Sequence, residues 1–141
     1  MAAAALRLEL GADGERVEVR SGGTSAREGD SATPLAVRVA GASGVDLSGH
    51  RALRVTREML ESADLVLAME SEHLRWVLNA GADPRKSHVL SEWPAPGDAS
   101  LEISDPFGAS IEAYEECWRR IRCHLERVVP EIREALRARS A

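Results

Sequence analysis

Ala63-Asp64-Leu65-Val66-Leu67-Ala68-Met69 decides the fold class. The run from Asp64 to Met69 is apolar almost throughout. Its length suits a strand covered on both faces, the condition of strands in a parallel sheet. Helical signals flank it. Thr56 can cap a short helix through Ser62, with Met59 and Leu60 inward. After the run, Ser71 is expected to cap a helix with Leu74, Val77 and Leu78 on one face and an end at Asn79-Ala80-Gly81. His88-Val89-Leu90 reads as a second short strand, and Trp93 to Asp98 as a loop with Trp93 as a lid over the core.

The same alternation holds further out. Residues from Met1 to about Leu10 are good helix formers without a breaker, and Gly11 to Gly14 is a turn. Val17-Glu18-Val19 alternates like a short strand, and Ser21 to Ala32 is a loop. Thr33-Pro34 is a helix start with an N-cap and a proline at the first position, and Gly41 to Gly44 stops it. Val45 to Arg51 is an extended connector. From about Ser110, the residues Ile111, Tyr114, Trp118, Ile121, Leu125, Val128 and Ile132 recur at spacings of three and four, one buried stripe of a long helix. Pro130 should kink that helix or end it near Val129. Strands alternating with helices give an α/β class with a parallel sheet.

Bulk properties narrow the function. The 141 residues suit one domain, 44% of them hydrophobic and 29% charged. A net charge of −5 gives no basic patch for nucleic acid. No apolar run is long enough to span a membrane, and the start at Met1-Ala2-Ala3-Ala4-Ala5-Leu6 lacks the basic flank of a signal peptide. Cys117 and Cys123 are the two cysteines, and their spacing fits neither a disulfide framework nor a metal site. A reduced, cytoplasmic protein without a cofactor is the expectation.

One loop carries chemistry. In Asp105-Pro106-Phe107-Gly108 an acid sits before a fixed backbone and an aromatic side chain, directly ahead of the long helix. Asp-Pro before a helix is also common turn chemistry. The pattern reads as an acid presented at a pocket rim.

Several blocks together resemble the low-molecular-weight protein tyrosine phosphatase family. They are Val17-Glu18-Val19-Arg20-Ser21-Gly22-Gly23-Thr24, Asp46-Leu47-Ser48-Gly49-His50-Arg51-Ala52, Thr56-Arg57-Glu58-Met59-Leu60, Ala63 to Met69, and Asp105 to Tyr114. The resemblance covers nearly the whole chain. It implies a three-layer α/β sandwich with a parallel sheet, a single domain over residues 1–141, and hydrolysis of a phosphorylated protein or small phosphate ester through a phosphocysteine. Asp105 matches the family's general acid, and Phe107 its pocket wall. Phe107-Gly108 stands where many tyrosine-specific members have two tyrosines, which resembles the bacterial protein arginine phosphatase branch. Ser25 to Ser31 would form the other wall, without an aromatic.

The family's Cys-x5-Arg loop follows its first strand. It leads into a helix with a Met-Ala-x-x-Leu pattern, which Met1 to Leu6 resembles, with Ala5 at the leucine place and Leu6 one residue on. Neither Cys117 nor Cys123 has an arginine six places on. The first strand and phosphate loop are therefore expected upstream of Met1, in about 15 residues, and the chain reads as N-terminally incomplete. Two other functions remain in view. A pseudophosphatase would keep the scaffold for binding. An arsenate reductase would need relay cysteines after the third strand, and none lies between Asp64 and Trp93. His50 and His73 read as surface or structural residues, Gly22-Gly23 as a tight turn, and Arg119, Arg120, Arg122 and Arg127 as mostly a solvated face.

Overall fold

A computed structural model describes residues 1–94 and 102–140. These residues form an α/β arrangement with five α-helices and a parallel pair of strands. They group into two compact units. One holds residues 1–20, 31–50 and 105–141, the other residues 21–30 and 51–104.

The first unit is helical. Helix α1 (Ala2–Leu10) is followed by a 3-10 turn over Gly11–Arg16. Helix α2 (Pro34–Gly41) starts as expected, because the Thr33 hydroxyl accepts the Ala36 N–H at 3.2 Å. Gly44 has φ +77°, a left-handed backbone that glycine adopts without strain, and so lets the chain leave α2. Helix α5 (Ile111–Ser140) packs on α1 and α2. Its buried positions include Tyr114, Trp118, Ile121, Leu125 and Val128 of the expected stripe, joined by Cys117, His124 and Val129. Burial of side chains such as Leu125 and Val128 removes apolar surface from water and is the main force holding the helices together.

In this unit one expectation fails, and of the two outcomes expected at Pro130 the ending does not occur. Helix α5 does not end near Val129 but continues through Pro130 to Ser140. Side chains bind the helix beyond the proline. Arg133 donates to Asp13 Oδ2 at 2.9 Å and to the Glu9 and Leu10 carbonyls at 3.4 Å. Arg16 donates to the Leu136 carbonyl at 3.3 Å and to Ser140 Oγ at 2.7 Å. Tertiary bonds thus outweigh the local cost of the proline. The failure is Val17–Val19, which joins no ladder among the described residues. Alternation supplies a strand-shaped backbone, but a strand needs a partner. Here the Val19 carbonyl accepts from the Arg7 guanidinium instead.

The second unit holds the sheet. Strand β1 (Val66–Ala68) pairs in parallel with β2 (Ser87–Val89), with Val66 opposite Ser87 and Ala68 opposite Val89. The ladder starts one residue earlier than the His88–Leu90 expectation. Val66 and Leu67 are only half-buried, so the apolar run is less covered than its composition suggests. Helix α3 (Arg57–Ser62) is capped by Thr56, whose hydroxyl accepts the Met59 N–H at 3.3 Å. Leu60 and Val77 form a small core with Ala82. Helix α4 (Ser71–Asn79) starts differently from the expectation: Ser71 is its first residue, and Glu70 the cap position makes no side-chain cap bond. Trp93 is half-buried and stacks on His88, with ring centroids 5.3 Å apart. The rest of the loop expected from Trp93 to Asp98, beyond Pro94, lies outside the described residues.

Candidate functional site

Asp105 is exposed and stands in a loop built by its own neighbours. Its Oδ1 accepts the Phe107 N–H at 3.0 Å, an Asx turn that fixes the carboxylate against the backbone two residues on. Ala109 N–H donates to the Pro106 carbonyl at 2.9 Å, which closes a second turn. Gly108 sits inside that turn at φ +77°, a backbone that a side chain would strain. Ser110 then opens α5: its hydroxyl accepts the Ala113 N–H at 3.4 Å. Two turns and a capped helix therefore hold the acid.

Phe107 is 75% exposed, the most exposed of the large hydrophobic side chains singled out by their accessibility. A core role for it is thus excluded. An aromatic ring held in solvent beside an acid offers an apolar face to a ligand.

Helix α5 brings a thiol toward the same loop. Cys117 is buried, one turn beyond Tyr114. Burial pushes its pKa above the usual thiol range. The α-amino group of Met1 pulls it down, and the Asp105 carboxylate raises it further. The Met1 amine is itself lowered, first by burial, with Cys117 opposing and Arg7 adding to the fall. Cys117 is therefore within electrostatic reach of both Asp105 and the start of α1, all within one unit. A thiol raised by burial is protonated at neutral pH, which is the wrong state for a nucleophile. Cys123 is exposed on the same helix.

The remaining candidates have structural roles. A Cβ on Gly22 would lie 2.7 Å from Val55 Cγ2, and one on Gly23 would lie 2.8 Å from Ala26 Cβ. The pair thus allows close backbone approach: Gly23 N–H donates to the Leu53 carbonyl at 2.9 Å, and Val55 N–H to the Gly23 carbonyl at 3.2 Å. His50 and His73 are half-buried. Arg122 is not simply solvated, since it meets Glu9 at 2.6 Å. Arg127 donates to Nδ1 of the buried His124 at 2.9 Å. Among the described residues, no group of three or more His, Cys, Asp or Glu side chains is placed to hold a metal ion, and no helix is long and apolar enough to cross a membrane.

Sequence reasoning missed two features. A packing or bystander role is the expectation for both thiols of the last helix, and Cys117 is buried while Cys123 is exposed; what the sequence did not give is the nearness of Cys117 to the Asp105 charge. Glu102 binds the start of α4, and no local signal marks it.

The family profile for low molecular weight phosphotyrosine protein phosphatase matches residues 1–138. The chain belongs to that family. Protein-arginine-phosphatase of Bacillus subtilis (strain 168) is 35% identical over 105 residues, covering 74% of this chain and 68% of the relative. The low molecular weight protein-tyrosine-phosphatase Etp of Escherichia coli (strain K12) is 35% identical over 103 residues, covering 72% of this chain and 67% of Etp. Among solved structures, the YwlE arginine phosphatase from Geobacillus stearothermophilus superposes with a TM-score of 0.81 at 28% identity, over 95% of this chain and 84% of the other. The fold is thus that of the low molecular weight phosphatases, and membership carries the general chemistry of a protein phosphatase.

Proposed function

We propose that this chain forms one domain of a cytoplasmic phosphoprotein phosphatase that works through a phosphocysteine, with Asp105 as general acid and Phe107 as a wall of the substrate pocket. A thiolate attacks phosphorus, and the bond from phosphorus to the leaving oxygen or nitrogen breaks. Asp105 gives its proton to that leaving atom. The resulting carboxylate then takes a proton from water as the water oxygen attacks phosphorus. The P–S bond breaks, and thiolate and phosphate leave. The thiolate is that of a Cys-x5-Arg loop, a pattern that residues 1–141 do not themselves contain.

The observation that carries this reading is the acid loop itself. Asp105 is exposed and pinned by the Phe107 N–H at 3.0 Å, directly ahead of α5. A general acid must be held in place yet reach a proton acceptor in the substrate. Phe107-Gly108, in place of paired tyrosines, favours phosphoarginine or another group over phosphotyrosine. Relatives of both kinds are similar to this chain.

The test is leaving-group dependence in a protein that carries the Cys-x5-Arg loop. Asp105→Asn should slow phenyl phosphate, whose leaving group needs a proton, by about 10²–10⁴-fold. It should spare kcat/KM for dinitrophenyl phosphate, whose leaving group does not, because kcat/KM reports only the steps up to the phosphocysteine. Equal loss of kcat/KM on both substrates would refute the assignment. The lack of a Cys-x5-Arg pattern in residues 1–141 favours a second reading, a binding module that holds phosphorylated protein without turnover. An inactive polypeptide that still binds a phosphorylated peptide would support it.

A further inference from the structure

From Asp105 to Ala113 no residue is buried, and Tyr114, 4% exposed, is the first of α5 that is. The first turn of the helix closes on Ser110. Ala113 N–H reaches Ser110 Oγ at 3.4 Å, and Tyr114 N–H reaches the Ser110 carbonyl at 3.3 Å. First turns fray readily, because their leading N–H groups lack intrahelical partners. Here the turn exposed to fraying has the acid loop directly ahead of it.

Tyr114 fastens that turn to α2. Its hydroxyl oxygen accepts from the Thr33 hydroxyl at 3.1 Å, and the same Thr33 oxygen accepts the Ala36 N–H at 3.2 Å and so caps α2. One helical turn on, Trp118 Nε1 donates to Ser43 Oγ at 2.9 Å, just past the other end of α2. Apolar burial is non-directional and leaves a helix room to slide. Hydrogen bonds have a set length and angle, and two of them at the two ends of α2 fix α5 both along and about its axis. The Tyr114 bond is the nearer of the two in sequence to Asp105. Successive bonds lead from it back to the acid: Tyr114 to Ser110, Ala109 to Pro106, and Phe107 to Asp105. All these residues belong to one compact unit.

We propose that Tyr114 is a positioning residue for the general acid: its bond to Thr33 holds the first turn of α5, and with it the loop that presents Asp105. This rests on Asp105 being the proton donor. Tyr114→Phe keeps the buried ring and removes only the hydroxyl.

Two readouts test this. On residues 1–141, followed by NMR, amide exchange at Ala113 should rise about two- to tenfold in Tyr114→Phe and stay unchanged at Leu125 within α5. In a protein that carries the Cys-x5-Arg loop, kcat/KM for phenyl phosphate should fall by a similar factor while that for dinitrophenyl phosphate holds. A general loss of packing would not give that contrast. Thr33→Val should repeat both effects, and adding Tyr114→Phe to it should cost nothing more, as for two halves of one bond. Thr33→Ser, which keeps the hydroxyl, should preserve both readouts. Faster exchange at Ala113 with phenyl phosphate turnover unchanged would overturn the proposal and leave Tyr114 a helix anchor only. Additive losses in the double variant would overturn it too. Equal loss on both substrates in Asp105→Asn would instead count against the acid itself, and the exchange at Ala113 is read without turnover.

Discussion

Pro130→Ala should make this protein more stable. Helix α5 runs from Ile111 to Ser140 with Pro130 inside it, and Pro130 is exposed. Proline in a helix interior is about 3 kcal/mol less favourable than alanine, because it lacks the N–H and its ring crowds the carbonyl four residues back. Alanine would restore the bond from residue 130 to the Glu126 carbonyl. Proline also restricts the unfolded chain, and its loss returns about 0.4–1 kcal/mol of that advantage. The net gain is about 2 kcal/mol. For a cooperative transition of all 141 residues this raises Tm by about 7 °C. Urea and thermal unfolding followed by circular dichroism measure both values. Equal or lower stability in the variant would refute the reasoning. It would mean that the broken ladder at Pro130 is needed to bring Arg133 to Asp13 and to the Glu9 and Leu10 carbonyls.

Two other outcomes follow from single contacts. Gly22→Ala puts a Cβ 2.7 Å from Val55 Cγ2 and 3.3 Å from the Val55 nitrogen, so it should cost about 1–3 kcal/mol in urea unfolding; a neutral result would show that the 53–55 segment yields freely. Iodoacetamide at neutral pH should label the exposed Cys123 and spare Cys117, whose burial raises its pKa and so lowers its thiolate fraction. Labelling of Cys117 should rise only at more alkaline pH. Peptide mapping reads both sites, and fast neutral labelling of Cys117 would contradict its placement.

The helices were legible because helical signals are local. Thr33 and Thr56 each cap the helix that follows within three residues, and the α5 stripe repeats at the helical period. Strands were less so. Asp64–Met69 was correctly read as a parallel strand, yet only Val66–Ala68 pairs. Val17–Val19 has the alternation but no ladder, since pairing depends on residues far away in sequence. The cap of α4 failed for the same reason: Ser71 looked like the cap, and Glu102 supplies the bond from outside the helix. Pro130 shows the reverse, a strong local signal overridden by tertiary bonds. At the candidate site, Asp105 and Phe107 could be named from the motif alone. Only the structure shows that Phe107 is exposed and not part of the core, and only packing brings Cys117 near the Asp105 charge.

Turnover is the most direct measurement of the central proposal, that Asp105 is the general acid for a cysteine nucleophile. Hydrolysis of an aryl phosphate and of phosphoarginine would be compared for residues 1–141 and for the same residues preceded by a strand and a Cys-x5-Arg loop. The first should show no turnover. The second should be active and lose about 10²–10⁴-fold with Asp105→Asn. Clear turnover by residues 1–141, lost on Asp105→Asn or Cys117→Ser, would contradict the account.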